Sequence, residues 1–207
     1  MNGLEQRLAL ARALIFDCDG TLVDSGPVYC EAWATGLRLS GIEMSREWYH
    51  ERVGLSEHVL LDSFERDHGV DLDRNAVVAL MRSTYLGSLH QLRVNSAVAA
   101  IARANDGRVP LAVASGGPRA IVVPSLQACG LAGLFDAIVT LDDGGRAKPE
   151  PDLFLMAARR LAVPPAQCLV FEDSDQGLQA AASAGMPVVD VRGILEYRPH
   201  PREFNGR

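Results

Sequence analysis

No apolar run in this chain approaches the length of a membrane span. Glu5, Arg7 and Arg12 interrupt the apolar start, which therefore does not read as a signal peptide. Basic residues are outnumbered: 20 Lys and Arg stand against 26 Asp and Glu, for a net charge of -6 and a pI near 5.3. That balance argues against nucleic acid or an anionic membrane as partner. Cysteine is scarce, and Cys18, Cys30, Cys129 and Cys168 show neither metal-like nor redox-like spacing. Buried, reduced thiols are expected, which fits a cytoplasmic protein. The five histidines are scattered and form no ligand pair, which speaks against a zinc site. Internal repeats and low-complexity tracts are absent. No Gly-x-Gly-x-x-Gly follows a strand, so a dinucleotide site is unsupported. Nothing calls for an obligate assembly, and a monomer or weak homo-oligomer is expected.

The richest stretch is Asp17-Cys18-Asp19-Gly20-Thr21-Leu22-Val23-Asp24-Ser25. It directly follows the apolar run Ala13 to Phe16, which reads as a buried strand. Side chains at i and i+2 of a strand share a face, so Asp17 and Asp19 converge at its end while Cys18 points away. Gly20 lets the backbone leave sharply. Paired carboxylates repel and resist burial, so they need a divalent cation or a division of labour between an ionised and a protonated acid. A calcium loop fits poorly, because a strand rather than a helix precedes the motif and the twelfth position is Val28.

With 207 residues and 48% hydrophobic content, the chain can bury a substantial core. Further apolar runs lie at Pro110 to Ala114, Ala137 to Leu141, Cys168 to Phe171 and Pro187 to Val191, separated by helix-like stretches. The alternation indicates a doubly wound α/β fold, a parallel sheet with helices on both faces. Three runs end at Asp17, at Ser115 and at Glu172 with Asp173, and ligands of open α/β sheets bind beyond the carboxyl ends of strands. Ser174 can cap a helix Asp175 to Ala184, and Pro149 and Pro151 precede a helical stretch Leu153 to Leu161. About ninety residues separate the first two sheet strands, far more than a crossover needs. That excess has helical periodicity, with apolar stripes at Ala32, Trp33 and Leu37, at Val59, Leu60 and Phe64, and at Val77, Val78, Leu80, Met81 and Tyr85. The expected organisation is an α/β core at 1–24 and 94–207 with a helical insertion at 25–93.

Asp-x-Asp-Gly-Thr-Leu-x-Asp-Ser, Ser115 after its apolar strand, Lys148 in Lys148-Pro149-Glu150-Pro151-Asp152, and Glu172-Asp173-Ser174 stand in that order along the chain. Together they resemble the four motifs of the haloacid-dehalogenase-like (HAD) superfamily, in the branch of β-phosphoglucomutase and small sugar-phosphate phosphatases. The resemblance covers most of the chain outside residues 26–92. It implies a Rossmann-like HAD core with a mobile helical cap over the active site, hinged near Ser25-Gly26 and Arg93 to Ser96. It further implies a Mg²⁺-dependent phosphatase acting on a small phosphate ester. Asp17 would attack phosphorus and form an aspartyl-phosphate. Asp19 would act as acid and then base, Ser115 would bind phosphoryl oxygens and Lys148 would neutralise charge. Mg²⁺ would be held by Asp17, the main-chain carbonyl of Asp19 and Asp173, with Glu172 close by. Gly116, Arg52, Tyr29 and Ser56 are candidate substrate contacts, and Arg119 and Arg146 could add local positive charge.

Relatives in this branch usually carry a histidine where Tyr29 stands, and β-phosphoglucomutase an arginine where Glu57 stands. Both groups serve the mutase cycle, so the departures favour a phosphatase. Residues 171–192 are similar to small bacterial fructose-1-phosphate phosphatases, while the opening and Val53-Gly54-Leu55 are similar to a 6-phosphogluconate phosphatase. The shared implication is a small phosphorylated sugar or sugar acid. β-Phosphoglucomutase-like transfer, phosphoglycolate hydrolysis and a catalytically silent HAD-fold binding protein are the alternatives. A haloacid dehalogenase would lack Asp19.

Overall fold

The computed structural model describes residues 3–195. Residues 196–207, assigned above to the core, lie outside the described residues. In chain order the elements are α1 (Gly3–Leu10), β1 (Ala13–Phe16), β2 (Val23–Asp24), α2 (Gly26–Leu37), α3 (Arg46–His50), α4 (Glu57–His68) and α5 (Arg74–Gly87). They continue with β3 (Arg93–Val94), α6 (Ser96–Asn105), β4 (Leu111–Ala114), α7 (Arg119–Ala128), β5 (Ala137–Val139), α8 (Asp152–Arg160), β6 (Cys168–Glu172), α9 (Asp175–Ser183) and β7 (Val188–Asp190).

Five strands form one parallel sheet in the order β5-β4-β1-β6-β7. β1 is central and buried on both faces, which is why it reads as an unbroken apolar run. Its residues alternate between two cores. Leu14 and Phe16 join Leu111, Val113, Leu169 and Phe171 under α6 and α7, and Phe16 stacks on Phe171 at 4.7 Å. Ala13 and Ile15 join Ala112, Cys168 and Val170 under α8 and α9. The α/β fold read from the sequence is thus present, with helices on both faces. The run Ala137 to Leu141 is strand only to Val139, because Thr140 and Asp143 form a capping box that bends the chain into a short 3₁₀ turn.

The inserted helices α2, α4 and α5 have a core of their own, including Trp33, Leu37, Leu60, Phe64, Met81 and Tyr85. Val59, expected in that stripe, is instead 43% exposed on the outer side of α4. Ile121 of α7 packs into the same cluster and joins cap to sheet domain. Both connections to the cap run side by side: β2 and β3 pair antiparallel, Val23 with Val94 and Asp24 with Arg93. Gly26 opens α2 with helical backbone and does not use left-handed freedom. Among the described residues no helix is long and apolar enough to cross a membrane.

Candidate active site

The carboxyl end of β1 delivers Asp17, whose backbone N–H still donates to Phe171 O at 3.0 Å. The next residue, Cys18, turns into the sheet core and is fully buried. Leu22 and Val23 both donate to Cys18 O, which closes a tight turn over residues 18–23. Gly20 has φ +90°, and a Cβ there would lie 2.2 Å from Asp173 Oδ2. Only glycine supplies both the left-handed backbone and the clearance. On the far side of the turn, Ser25 Oγ donates to Asp19 Oδ1 at 2.7 Å.

β6 delivers Glu172, and Asp173 follows it. Glu172 is 1% exposed. Its Oε1 accepts from the backbone N–H of Asp173 (3.1 Å), the N–H of Ser174 (2.9 Å) and Ser174 Oγ (2.8 Å). Ser174 also caps α9, accepting from Gly177 N–H at 3.0 Å. Asp173 Oδ1 accepts from Thr21 Oγ1 at 2.8 Å. Lys148 bridges the two acidic strands: Nζ donates to Asp17 Oδ1 at 2.6 Å and to Glu172 Oε2 at 2.7 Å. Its ammonium also lies 4.9 Å from the centre of the Phe154 ring.

Electrostatics follow from this crowding. Burial raises the Asp17 carboxyl well above the usual range, and Glu172 and Asp173 push the same way against Lys148. Burial and Glu172 push Asp173 up to about 6, against the Thr21 hydrogen bond and Lys148. Asp19 is raised by burial, against hydrogen bonds from Ser25 and Ser115 and the charge of Lys148. Burial would lower the Lys148 ammonium, but Asp17 and Glu172 outweigh it and keep the group protonated.

One oxygen from each of Asp17, Glu172 and Asp173 lies within 4.8 Å of the others. Three carboxylates, those of Asp17 and Glu172 buried and that of Asp173 half-buried, against one lysine leave excess negative charge, and an all-oxygen donor set suits a hard cation such as Mg²⁺. The residues present therefore fit the metal that the sequence motifs imply. The Asp19 carboxylate is outside this trio and bonds Ser25 instead. Glu172 already accepts on both oxygens, so it anchors Lys148 and the start of α9 as well as bordering the cluster.

Ser115 ends β4, is buried, and its Oγ accepts from Gly117 N–H at 3.0 Å. Gly116 faces open space. Tyr29 packs its ring on Tyr85 at 4.3 Å, and burial pushes its hydroxyl pKa well above the usual range, with the charge of Asp19 acting the same way. Ser56 stands at the start of α4 without making a capping bond. Arg52 is engaged inside the cap: it donates to Asp67 (2.9 Å) and Trp48 O (2.8 Å) and lies over the Trp48 ring at 4.3 Å. Arg119 and Arg146 are likewise paired, with Asp143 and Asp152 respectively. Among the described residues, Lys148 is the cation bonded to the acidic trio. Sequence reasoning missed Thr21, Ser25 and Asn95. All three lie inside or beside stretches already singled out, but only the folded turn shows what they hold.

Residues 11–185 match the family described as haloacid dehalogenase-like hydrolase. The chain is similar to fructose-1-phosphate phosphatase YqaB of Escherichia coli K12, 37% identical over 183 residues that make up 86% of this chain and 95% of that one. It is also similar to a phosphorylated carbohydrates phosphatase of Thermotoga maritima, 29% identical over 84% of this chain and 82% of that protein. Among solved structures it is similar to CbbY from Rhodobacter sphaeroides in complex with phosphate, with TM-score 0.76, 25% identity, and coverage of 86% of this chain and 84% of that one.

Proposed function

The chain belongs to the haloacid dehalogenase-like hydrolases, and from that premise we propose that it is a Mg²⁺-dependent phosphatase acting on a small phosphorylated sugar or sugar acid through an aspartyl-phosphate. It is a phosphoric monoester hydrolase, as its relatives are. The observation that carries the mechanism is Lys148 bridging Asp17 and Glu172 beside Asp173. An acidic nucleophile meeting a phosphate dianion needs this local positive charge.

In the proposed reaction an Asp17 oxygen attacks phosphorus and the ester P–O bond breaks. Asp19, whose raised pKa suits a protonated acid, gives its proton to the leaving oxygen. Asp19 then takes a proton from water, whose oxygen attacks the phosphorus and releases Asp17 and inorganic phosphate. Ser115 Oγ and the backbone at Gly116 bind the transferring oxygens, and Lys148 offsets their charge. Bound magnesium would supply further charge neutralisation, held by Asp17, Asp173 and the main chain of Asp19, with Glu172 beside them.

Residues 25–93 serve as the cap and 1–24 with 94–207 as the core in this reading. Tyr29, Ser56 and Arg52 are the substrate contacts it offers; Arg52 reaches a substrate only by leaving Asp67 and Trp48. Hydrolysis is favoured over mutase transfer because Glu57 stands where a mutase places an arginine and is itself paired with Arg82 at 2.7 Å. The test is phosphate release from an aryl phosphate, fructose 1-phosphate and 6-phosphogluconate, with Mg²⁺ and with a chelator. Magnesium-dependent turnover of a sugar phosphate is expected. Absence of turnover on all three with Mg²⁺ would overturn the reading in favour of a silent binding protein.

A further inference from the structure

Asn95 stands immediately before α6, in the linker that returns from the cap. Asparagine in that place is ordinarily a helix cap, accepting from the second or third helical N–H. Here its side chain makes no capping bond. It turns the other way: Nδ2 donates to Gly20 O at 2.7 Å and to Thr21 O at 3.0 Å, and its backbone N–H donates to Leu22 O at 2.9 Å. Two consecutive carbonyls require a group with two N–H bonds, which fixes the orientation of the amide. Aspartate, of the same shape, has none to give. Serine is too short and has one.

Those carbonyls belong to the turn that begins at Asp19. Thr21 Oγ1 in the same turn holds Asp173, and Gly20 lies against the Asp173 carboxylate with no room for a methyl group. The turn is therefore wedged between Asn95 on one side and Asp173 on the other. Asn95 directly follows β3, whose pairing with β2 joins the two cap linkers.

We infer that Asn95 is a positioning residue that holds turn 19–21 against Asp173 and so ties the metal-side geometry to the second cap linker. The inference rests on the metal reading given above. It gives up an available helix cap for this purpose, and the return linker is the element that any cap movement must load.

The test uses full-length Asn95→Ser and Asn95→Asp. Both residues cap helices well, and neither can supply two donors. Three quantities are measured: Mg²⁺ affinity by calorimetry, amide exchange in the turn and in α6, and kcat and KM. Mg²⁺ affinity is expected to fall about 10-fold or more in both variants, the range for lost partners of metal ligands. The N–H groups of Leu22 and Val23 are expected to exchange faster while α6 keeps its protection. kcat is expected to fall further than KM rises. Parental Mg²⁺ affinity and parental exchange of the turn in Asn95→Ser would overturn the inference and leave Asn95 a cap residue. If the parent protein itself bound no Mg²⁺, the functional reading would fall with the metal role, while turn exchange would still show whether Asn95 holds the turn.

Discussion

A Cβ on Gly177 would sit 2.0 Å from Cδ of Glu172 and 2.1 Å from its Oε2, the oxygen that receives Lys148. Gly177 lies in the first turn of α9, so Glu172 rests against the helix at the one position without a side chain. Two effects compete in Gly177→Ala. Helix propensity favours alanine by about 1 kcal/mol. The overlap forces Glu172 away from Lys148 and from the Ser174 bonds, and a buried carboxylate stripped of partners costs more, about 3–5 kcal/mol. The clash should win. Gly177→Ala is expected to lower the melting temperature and to reduce kcat/KM at least about 10-fold, since the proposed reaction relies on the Lys148 charge at the transition state. A melting temperature above the parent with unchanged kinetics would show that Glu172 moves freely.

Asp17→Asn removes the proposed nucleophile while keeping its shape. Turnover is expected to drop by about 10³-fold or more. The fold should survive, because the change also removes one charge from a crowded acidic trio. Rates near the parent, with a normal circular dichroism spectrum, would remove Asp17 from the reaction. Asp19→Asn should slow both proposed proton-transfer steps, and accumulation of a phosphoenzyme in that variant would place Asp19 in the second of them.

Lys148 is the only lysine in the chain. Its side chain is 9% exposed and its ammonium is held protonated between Asp17 and Glu172. A protonated, buried amine is a poor nucleophile. Mild acylation near pH 8.5 is therefore expected to modify the α-amino group and spare Lys148, with the second label appearing only in urea. Intact-mass measurement over time reads this directly. Glu172→Gln removes one of the two charges and should speed labelling of Lys148. Equal labelling rates at both amines in the native protein would mean that the ion pairs are open in solution.

The parts of this site written in short-range pattern were legible beforehand. The unbroken apolar run Ala13 to Phe16 places Asp17 at a strand end, and the other strand ends place Ser115 and Glu172, because strands buried on both faces give unbroken apolar runs. Lys148 was legible by motif, and being the sole lysine is a second signal. What stayed hidden depends on contacts between distant segments. Asn95 lies 75 residues from Gly20, and nothing local distinguishes it from an ordinary helix cap. The β2–β3 pair is two residues long on each side, too short for a period-two pattern. Arg52 carries the same charge whether it meets a substrate or Asp67, and only geometry shows its present partners. Val59 fits an apolar helical stripe by spacing yet faces outward, since periodicity fixes a face only to within about a residue's width.

Asp143 supplies a pH-dependent stability term away from the acidic trio. Its Oδ2 accepts from Thr140 N–H at 2.8 Å and from Arg119 at 2.8 Å, and its Oδ1 from Arg160 at 2.5 Å. It thereby joins the start of α7 to the end of α8. Burial would raise its pKa, but the hydrogen bonds from Arg160, Thr140 and Arg119 outweigh it and hold the carboxyl down at about 2. A folded pKa below the unfolded value means the unfolded chain binds the proton first. The stabilisation is then complete above about pH 4 and is lost as pH falls toward about 2. Its size is about 1–2 kcal/mol once solvent screening at the partly exposed arginines is allowed for. Asp143→Asn keeps the shape and removes the charge. Urea unfolding should find the variant less stable by that amount at pH 7, and the gap between parent and variant should close between about pH 4 and pH 2. Other carboxylates titrate in that window too, but they do so in both proteins and cancel in the difference. A gap that stayed constant down to pH 2 would mean that packing, not the charge shared with Arg119 and Arg160, is what Asp143 contributes.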